Sequence, residues 1–263
     1  VAAGFGLMQR VRSGVYVAYF YAVTLAFGLA GLAVRRFAPG RALAFAQAWV
    51  ATLLAGLGPI CGIRIVVTGL ANLPHTGPAL LASQHQSEFD TLVWMRLLRR
   101  PSYVMKQELT ETPLVGPMLV PAGMIPVDRA GGAAALRRLL LDTEAARDQG
   151  RQIVIFPEGT RVAPGERVAL QPGIAAVAQR LGLPVIPVAT DSGLCWTRSR
   201  MAMRAGTIHV EIGPPISCSA KRDQLLAEVE MFWRQAEKRG FKPVDKSVEQ
   251  VVREPLARAA EAR

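Results

Sequence analysis

From Ser13 to Val34 the chain carries no charged residue, with Arg12 before the run and Arg35 after it. Such a run of about 22 residues, roughly 33 Å long as a helix, is enough to cross the hydrocarbon core of a bilayer. A chain that begins this way must either bury the helix in a core or give it to lipid. Tyr16, Tyr19 and Tyr21 cluster near its start, as aromatic residues do at a membrane–water interface. The run is too long for the apolar core of a signal peptide and reads as a retained anchor. The core helix of a soluble protein has the same pattern and is the competing interpretation.

A second uncharged run, Ala42 to Ile63, is interrupted by Gly56, Gly58 and Pro59. About 16 helical residues, roughly 24 Å, remain before the break. Arg35, Arg36 and Arg41 lie between the runs, and if both runs crossed, these arginines would face the non-cytoplasmic side, against the positive-inside rule. The expected arrangement has the first run spanning and the second lying in the cytoplasmic leaflet, with Phe45, Trp49 and Leu53 facing acyl chains or the rest of the protein.

Composition agrees with a globular protein attached to a membrane. Of 263 residues, 51% are hydrophobic, and the mean hydropathy of +0.24 is high for a soluble enzyme and low for a polytopic membrane protein. The length predicts one domain, or one with a small appendage. The net charge of +11 calls for an acidic partner. Nucleic acid is a poor fit as that partner: the basic residues are scattered, no binding motif is present, and aromatics are only 6%. Anionic lipid headgroups and phosphorylated substrates fit better. Cys61, Cys195 and Cys218 are odd in number and lack metal-ligand spacing, which predicts reduced thiols in a cytoplasmic setting.

From Arg64 the texture changes. Short apolar runs, Ile65–Val67, Ala79–Ala82, Tyr103–Met105, Met124–Val127, Ile153–Phe156, Val185–Val188 and Ile208–Ile212, alternate with helical patterns near 88–99, 131–148, 173–181 and 221–238. This alternation predicts an α/β fold, a largely parallel sheet flanked by helices. Leu225, Val229, Phe232, Trp233 and Ala236 form a core-facing stripe on the last helix. The predicted organisation is a membrane-associated helical region over 1–63, a catalytic domain over 64–240, and a polar, mobile tail over 241–263.

In such a sheet, ligands gather at the carboxyl ends of the strands, and three predicted strands end in polar loops. One is Leu81-Ala-Ser-Gln-His85-Gln-Ser-Glu-Phe-Asp90. A carboxylate in the first turn of the following helix can reach back to His85 and hold its imidazole as a general base. The same residues also fit a capping box, with Asp90 serving only the helix end. The other two loops hold Asp128-Arg129 and Phe156-Pro-Glu158-Gly159-Thr160-Arg161. Arg129 and Arg161 offer fork-shaped donors to phosphate, Gly159 allows close backbone approach, and Glu158 accepts hydrogen bonds from hydroxyls. Each loop taken singly is also ordinary turn chemistry. His75 and His209 read as structural. A metal at His85 and Asp90 is disfavoured, because no second histidine or cysteine lies at ligand spacing.

The ordered set His85-x4-Asp90, Gly123-Met-Ile-Pro-Val-Asp-Arg129, Phe156-Pro-Glu-Gly-Thr-Arg161 and Val185-Ile-Pro-Val-Ala189 resembles the four blocks of the glycerolipid acyltransferase family. Within that family it is most similar to the bacterial PlsC type, the 1-acyl-sn-glycerol-3-phosphate acyltransferases. Lys106-Gln-Glu-Leu109, with Pro113 and Gly116, resembles the segment between their first two blocks. Gln84 and Glu88 depart from the pattern, in which asparagine and an aromatic residue are common.

The resemblance implies a glycerol-3-phosphate acyltransferase-like fold at a bacterial inner membrane, with the catalytic domain on the cytoplasmic face. It implies transfer of an acyl group from acyl-CoA or acyl-carrier protein to the sn-2 hydroxyl of lysophosphatidic acid, without a cofactor, a metal or a covalent acyl-enzyme. His85 would be the general base and Asp90 its orienting partner. Arg129 and Arg161, with Lys106, would bind the phosphate. Glu158, Gly159 and Thr160 would line the acceptor site, and Val185 to Val188 would support the core or an acyl pocket. Another lysolipid, such as lyso-ornithine lipid, is the alternative acceptor. A thioester hydrolase and a non-catalytic lipid-binding scaffold are the competing functions.

Overall fold

A computed structural model of the chain describes residues 6–197, 203–241 and 250–251. The strands are β1 (Ile63–Thr68), β2 (Ala79–Ser83), β3 (Pro101–Lys106), β4 (Ile125–Val127), β5 (Gln152–Ile155), β6 (Val185–Thr190), β7 (Gly206–Ile212) and β8 (Gln250–Val251). The α-helices are α1 (Leu7–Phe37), α2 (Ala42–Ala55), α3 (Phe89–Leu97), α4 (Gly116–Leu119), α5 (Gly132–Asp148), α6 (Gly173–Leu181), α7 (Ser192–Cys195) and α8 (Arg222–Lys238).

The strands form one sheet in the order β4-β3-β5-β2-β6-β7-β1-β8. β4, β3, β5, β2 and β6 run parallel, β7 is antiparallel to β6, and β1 is parallel to β7. All seven predicted strands are present, and the sheet is largely parallel as expected. Hydropathy gave no sign of the reversal between β6 and β7, because strand direction depends on the path of the connection rather than on strand composition.

β2 is central and buried at every position, as expected for a strand covered on both faces. Leu81 points into one core layer, while Leu80 and Ala82 point into the other. The first layer packs α1, α2 and α3 against the sheet through Tyr16, Leu53 and Trp94. The second packs α5, α6 and α8 through Leu139, Ile174 and Trp233. The predicted stripe on α8 is buried at Leu225, Val229, Trp233 and Ala236. With α3 after β2 and α6 after β5 on opposite faces, the chain leaves these neighbouring strands in opposite directions. In open α/β sheets such a reversal marks the place where ligands bind, at the carboxyl ends of the strands.

The two N-terminal apolar stretches are each long and apolar enough to cross a membrane. They form an antiparallel hairpin joined at Pro39–Arg41. Tyr16 OH donates to Leu53 O at 3.0 Å, and Tyr19 OH donates to Thr52 O at 2.6 Å. Trp49 Nε1 donates to Thr24 Oγ1 at 3.2 Å, and the Phe27 and Phe45 rings lie 5.2 Å apart. The expectation that the first run crosses while the second lies flat needs the two to diverge. They do not, so any bilayer meets them as one unit. Hydropathy shows that a run is apolar but not what it packs against.

The domain-facing half of α1 is part of the core. Tyr16 is fully buried, and its ring meets Trp196 edge-on at 5.5 Å. On the outer face, Val11, Val15, Leu25, Leu29 and Leu32 are exposed. The tail expected to be polar and mobile from Lys242 lies outside the described residues, apart from Gln250–Val251, which adds antiparallel to β1.

Candidate active site

His85 follows β2 by two residues, where Gln84 N–H still bonds Val188 O of β6 at 3.0 Å. The chain then turns into α3, which places Asp90 in the first turn. His85 Nδ1 lies 3.4 Å from Asp90 Oδ2, with the Asp90 side chain 1% exposed and that of His85 17%. The same Oδ2 accepts the backbone N–H groups of Gln86 at 2.6 Å and Ser87 at 2.8 Å. This carboxylate therefore faces the imidazole and also serves the helix entry. Only half of the capping box forms: the Asp90 N–H bonds Ser87 O at 3.4 Å rather than Ser87 Oγ, and that hydroxyl donates to Ser192 Oγ at 2.9 Å. Among the described residues Asp90 Oδ1 is buried without a hydrogen-bond partner. The imidazole face rests on Phe156, with 4.5 Å between ring centroids.

The loop after β5 closes over His85 from the neighbouring strand. Glu158 Oε2 accepts the His85 backbone N–H at 2.5 Å, and Val162 N–H donates to His85 O at 2.8 Å. Burial pushes the Glu158 carboxyl up to about 8, with the His85 N–H acting in the opposite direction. Glu158 is therefore largely protonated at neutral pH. Gly159 sits at φ +70°, a conformation that glycine adopts without a Cβ penalty. Its carbonyl accepts a hydrogen bond from Arg129 Nη1, which ties the loop after β4 to the same place. Arg161 Nη1 pairs with Glu88 Oε1, on the segment that carries His85.

The structure thus brings His85, Asp90, Glu158, Gly159, Arg129 and Arg161 together. Thr160 is exposed on the rim. Lys106 ends β3 and pairs with Glu108 on its own turn at 3.2 Å. The loops converge, but each of the three candidate phosphate ligands already bonds an acceptor of the protein.

Several supporting groups carried no local sequence signal. Gln84 is buried, its Nε2 donating to Glu237 Oε1 of α8 at 3.1 Å and its Oε1 accepting Thr190 N–H at 3.0 Å. Arg167 Nη1 also donates to Glu237 Oε1, at 3.0 Å. Burial favours a raised Glu237 pKa, but its bonds with Arg167 and Gln84 prevail and hold it below the usual range. Gln86 Oε1 accepts Gly193 N–H at 3.1 Å, and a Cβ on Gly193 would lie 2.8 Å from Pro164. His209 pairs with Asp191 at 2.7 Å and stacks on Phe241. Among the described residues, no group of three or more His, Cys, Asp or Glu could hold a metal ion.

A buried carboxylate behind a strand-end imidazole, with arginines on the adjoining loops of a largely parallel sheet, is an arrangement suited to acyl transfer, and the chain belongs to the acyltransferase family. The family model matches residues 64–191, spanning β1 to the end of β6 and every candidate site residue.

Among its relatives is the 1-acyl-sn-glycerol-3-phosphate acyltransferase of Pseudomonas aeruginosa, 34% identical over 170 residues, which cover 65% of this chain and 66% of that protein. The enzyme of the same name from Borreliella burgdorferi is 30% identical over 130 residues, covering 49% and 52%. The mouse alpha form is 30% identical over 159 residues, covering 59% and 56%. The matched segments thus span about half to two thirds of these relatives. The crystal structure of the 1-acyl-sn-glycerophosphate acyltransferase PlsC from Thermotoga maritima has the same fold, with a TM-score of 0.73 at 21% identity, over 90% of this chain and all of that one.

Proposed function

We propose that this protein is a membrane-bound 1-acyl-sn-glycerol-3-phosphate O-acyltransferase. The observation that carries the proposal is the His85–Asp90 pair at 3.4 Å, set on the same segment as the partner of Arg161. Three relatives bearing this enzyme name support the choice of acceptor.

With Nδ1 turned to Asp90, Nε2 of His85 takes the proton of the acceptor's sn-2 hydroxyl. The oxygen attacks the thioester carbonyl, the C–S bond breaks, and the thiolate of CoA or acyl-carrier protein leaves and takes up the proton. Asp90 stabilises the imidazolium between these steps. Apo hydrogen bonds of catalytic groups are often long and tighten in the substrate complex, in keeping with the 3.4 Å separation. Arg129 and Arg161 bind the phosphate once their present acceptors yield, with Lys106 at the outer rim. Glu158, largely protonated, holds the His85 backbone, while Gly159 and Thr160 shape the glycerol site. The donor is a substrate, and the chemistry uses neither a cofactor nor a covalent acyl-enzyme.

The exposed stripe of Val11, Val15, Leu25, Leu29 and Leu32 is the membrane-facing surface. An apolar cavity of about 50 Å³ lies between α1, α2 and the segment from Leu114 to Ala122, lined in part by Phe27, Trp49 and Met118. We place the protein at a bacterial inner membrane with its site on the cytoplasmic side, where acyl thioesters are made. Its three cysteines are unpaired, in accord with that compartment.

A second acceptor class, lysolipids without a phosphate monoester such as lyso-ornithine lipid, is favoured by one feature: Glu88 already occupies part of Arg161. The test is acyl transfer from a labelled thioester in membranes containing the protein, with each lysolipid offered separately and the products read by mass. Labelled phosphatidic acid is expected. Label confined to the ornithine lipid would move the acceptor, and free fatty acid formed without acceptor would indicate a hydrolase.

A further inference from the structure

Glu88 stands three residues after His85 and two before Asp90, at the position where α3 begins. Its side chain is 17% exposed, and one carboxylate oxygen holds Nη1 of Arg161, which is itself 38% exposed. Such a carboxylate has little room to swing away, whereas the arginine is the more exposed partner of the pair. The other two basic candidates are held differently, Arg129 by the neutral Gly159 carbonyl and Lys106 by an exposed acid on its own turn. Glu88 is thus a partly buried carboxylate paired with a candidate phosphate ligand, and it is on the segment of the candidate base.

An arginine paired with a carboxylate presents donors but little net charge. A phosphate monoester arriving there as a dianion meets a fixed negative charge a few ångströms away, at short range and with limited solvent screening. A headgroup of lower net negative charge, or one with its own ammonium group, meets less repulsion and can turn that group to Glu88. From this geometry we infer that Glu88 is a specificity-determining residue: it sets the charge of the acceptor headgroup that the site prefers, by competing with a phosphate monoester for Arg161. The inference rests on the lysolipid acyltransferase function proposed above and adds to it a charge filter built into the catalytic segment.

Specificity of this kind is a difference between two acceptors and is measured as a ratio. The test measures initial rates in mixed micelles with an acyl-CoA donor and either lysophosphatidic acid or lyso-ornithine lipid, for wild type, Glu88→Gln and Glu88→Asp. In Glu88→Gln the KM for lysophosphatidic acid is expected to fall threefold or more, with the change in KM rather than kcat, and the KM for lyso-ornithine lipid is expected to stay level or rise. Glu88→Asp keeps the charge and should keep the wild-type preference, which separates charge from local packing of α3.

An unchanged or raised KM for lysophosphatidic acid in Glu88→Gln would overturn the inference, since the carboxylate would then be positioning Arg161 instead of competing for it. If wild type does not acylate lysophosphatidic acid, the proposed acceptor fails separately. In that case, gain of lysophosphatidic acid acylation by Glu88→Gln would still support the filter, and no gain would reject it as well.

Discussion

Glu158 Oε2 accepts the backbone N–H of His85 at 2.5 Å, so a carboxyl from the loop after β5 fixes the main chain that carries the imidazole. Burial raises that carboxyl to about 8, well above its value in an unfolded chain. Between roughly pH 4.5 and 8 the folded protein therefore holds a proton that the unfolded chain has lost. The stabilisation is complete below the unfolded pKa and is lost as pH rises through the folded one, at up to about 1.4 kcal/mol per pH unit. Glu158→Gln removes this dependence. Melting temperatures from pH 5 to 8 should decline less steeply in the variant than in wild type, and parallel declines would mean that the carboxyl titrates normally.

Arg161 reaches the site through a charge-assisted contact, and a substrate phosphate would replace or share it. Arg161→Ala should raise the KM for lysophosphatidic acid about 10- to 100-fold, the range for losing one or two hydrogen bonds to a charged group. Arg129→Ala should give a smaller rise, because Arg129 is more exposed and binds a backbone carbonyl. Steady-state kinetics over a lysophosphatidic acid series checks both, and a purely kcat effect at Arg161 would argue against phosphate binding.

Gly159 at φ +70° makes a third point of control. A Cβ there costs about 1–2 kcal/mol in the left-handed region and shifts the carbonyl that Arg129 bonds. Gly159→Ala should lower the melting temperature by a few degrees and reduce kcat/KM for lysophosphatidic acid more than tenfold. A variant with full activity would show that the loop tolerates displacement.

Much of the fold was legible because each strand is a short apolar run bounded by turn residues, and because α6 and α8 carry regular stripes. His85 and Asp90 were legible for the same reason, since a strand-to-helix turn brings residues five apart face to face. Long-range partners left no such trace. Nothing near Arg161 in sequence shows that Glu88 will hold it. Nor does the composition of α8 reveal that Glu237 bonds Gln84, 153 residues away. The hairpin of α1 and α2 was hidden differently, because lipid and a protein core select the same apolar residues.

Tyr16 separates those two environments. It lies in one of the two long apolar runs of the chain yet is fully buried against Leu53 and Trp196. Tyr16→Ala should cost about 3–5 kcal/mol, as large-to-small changes at buried aromatics do, whereas a lipid-facing tyrosine would cost much less. Thermal melts of the detergent-solubilised protein distinguish the two, with a fall of roughly ten degrees expected.

The most direct measurement compares acceptor-dependent release of free thiol from acyl-CoA by wild type and by His85→Ala, under saturating lysophosphatidic acid. With His85 as the base, wild type releases thiol only when the acceptor is present, in step with phosphatidic acid formation. The variant should then be slower by about 10²- to 10⁴-fold, the usual contribution of a positioned general base. Equal rates in the two proteins, or thiol release by wild type without acceptor, would contradict general-base acyl transfer through His85.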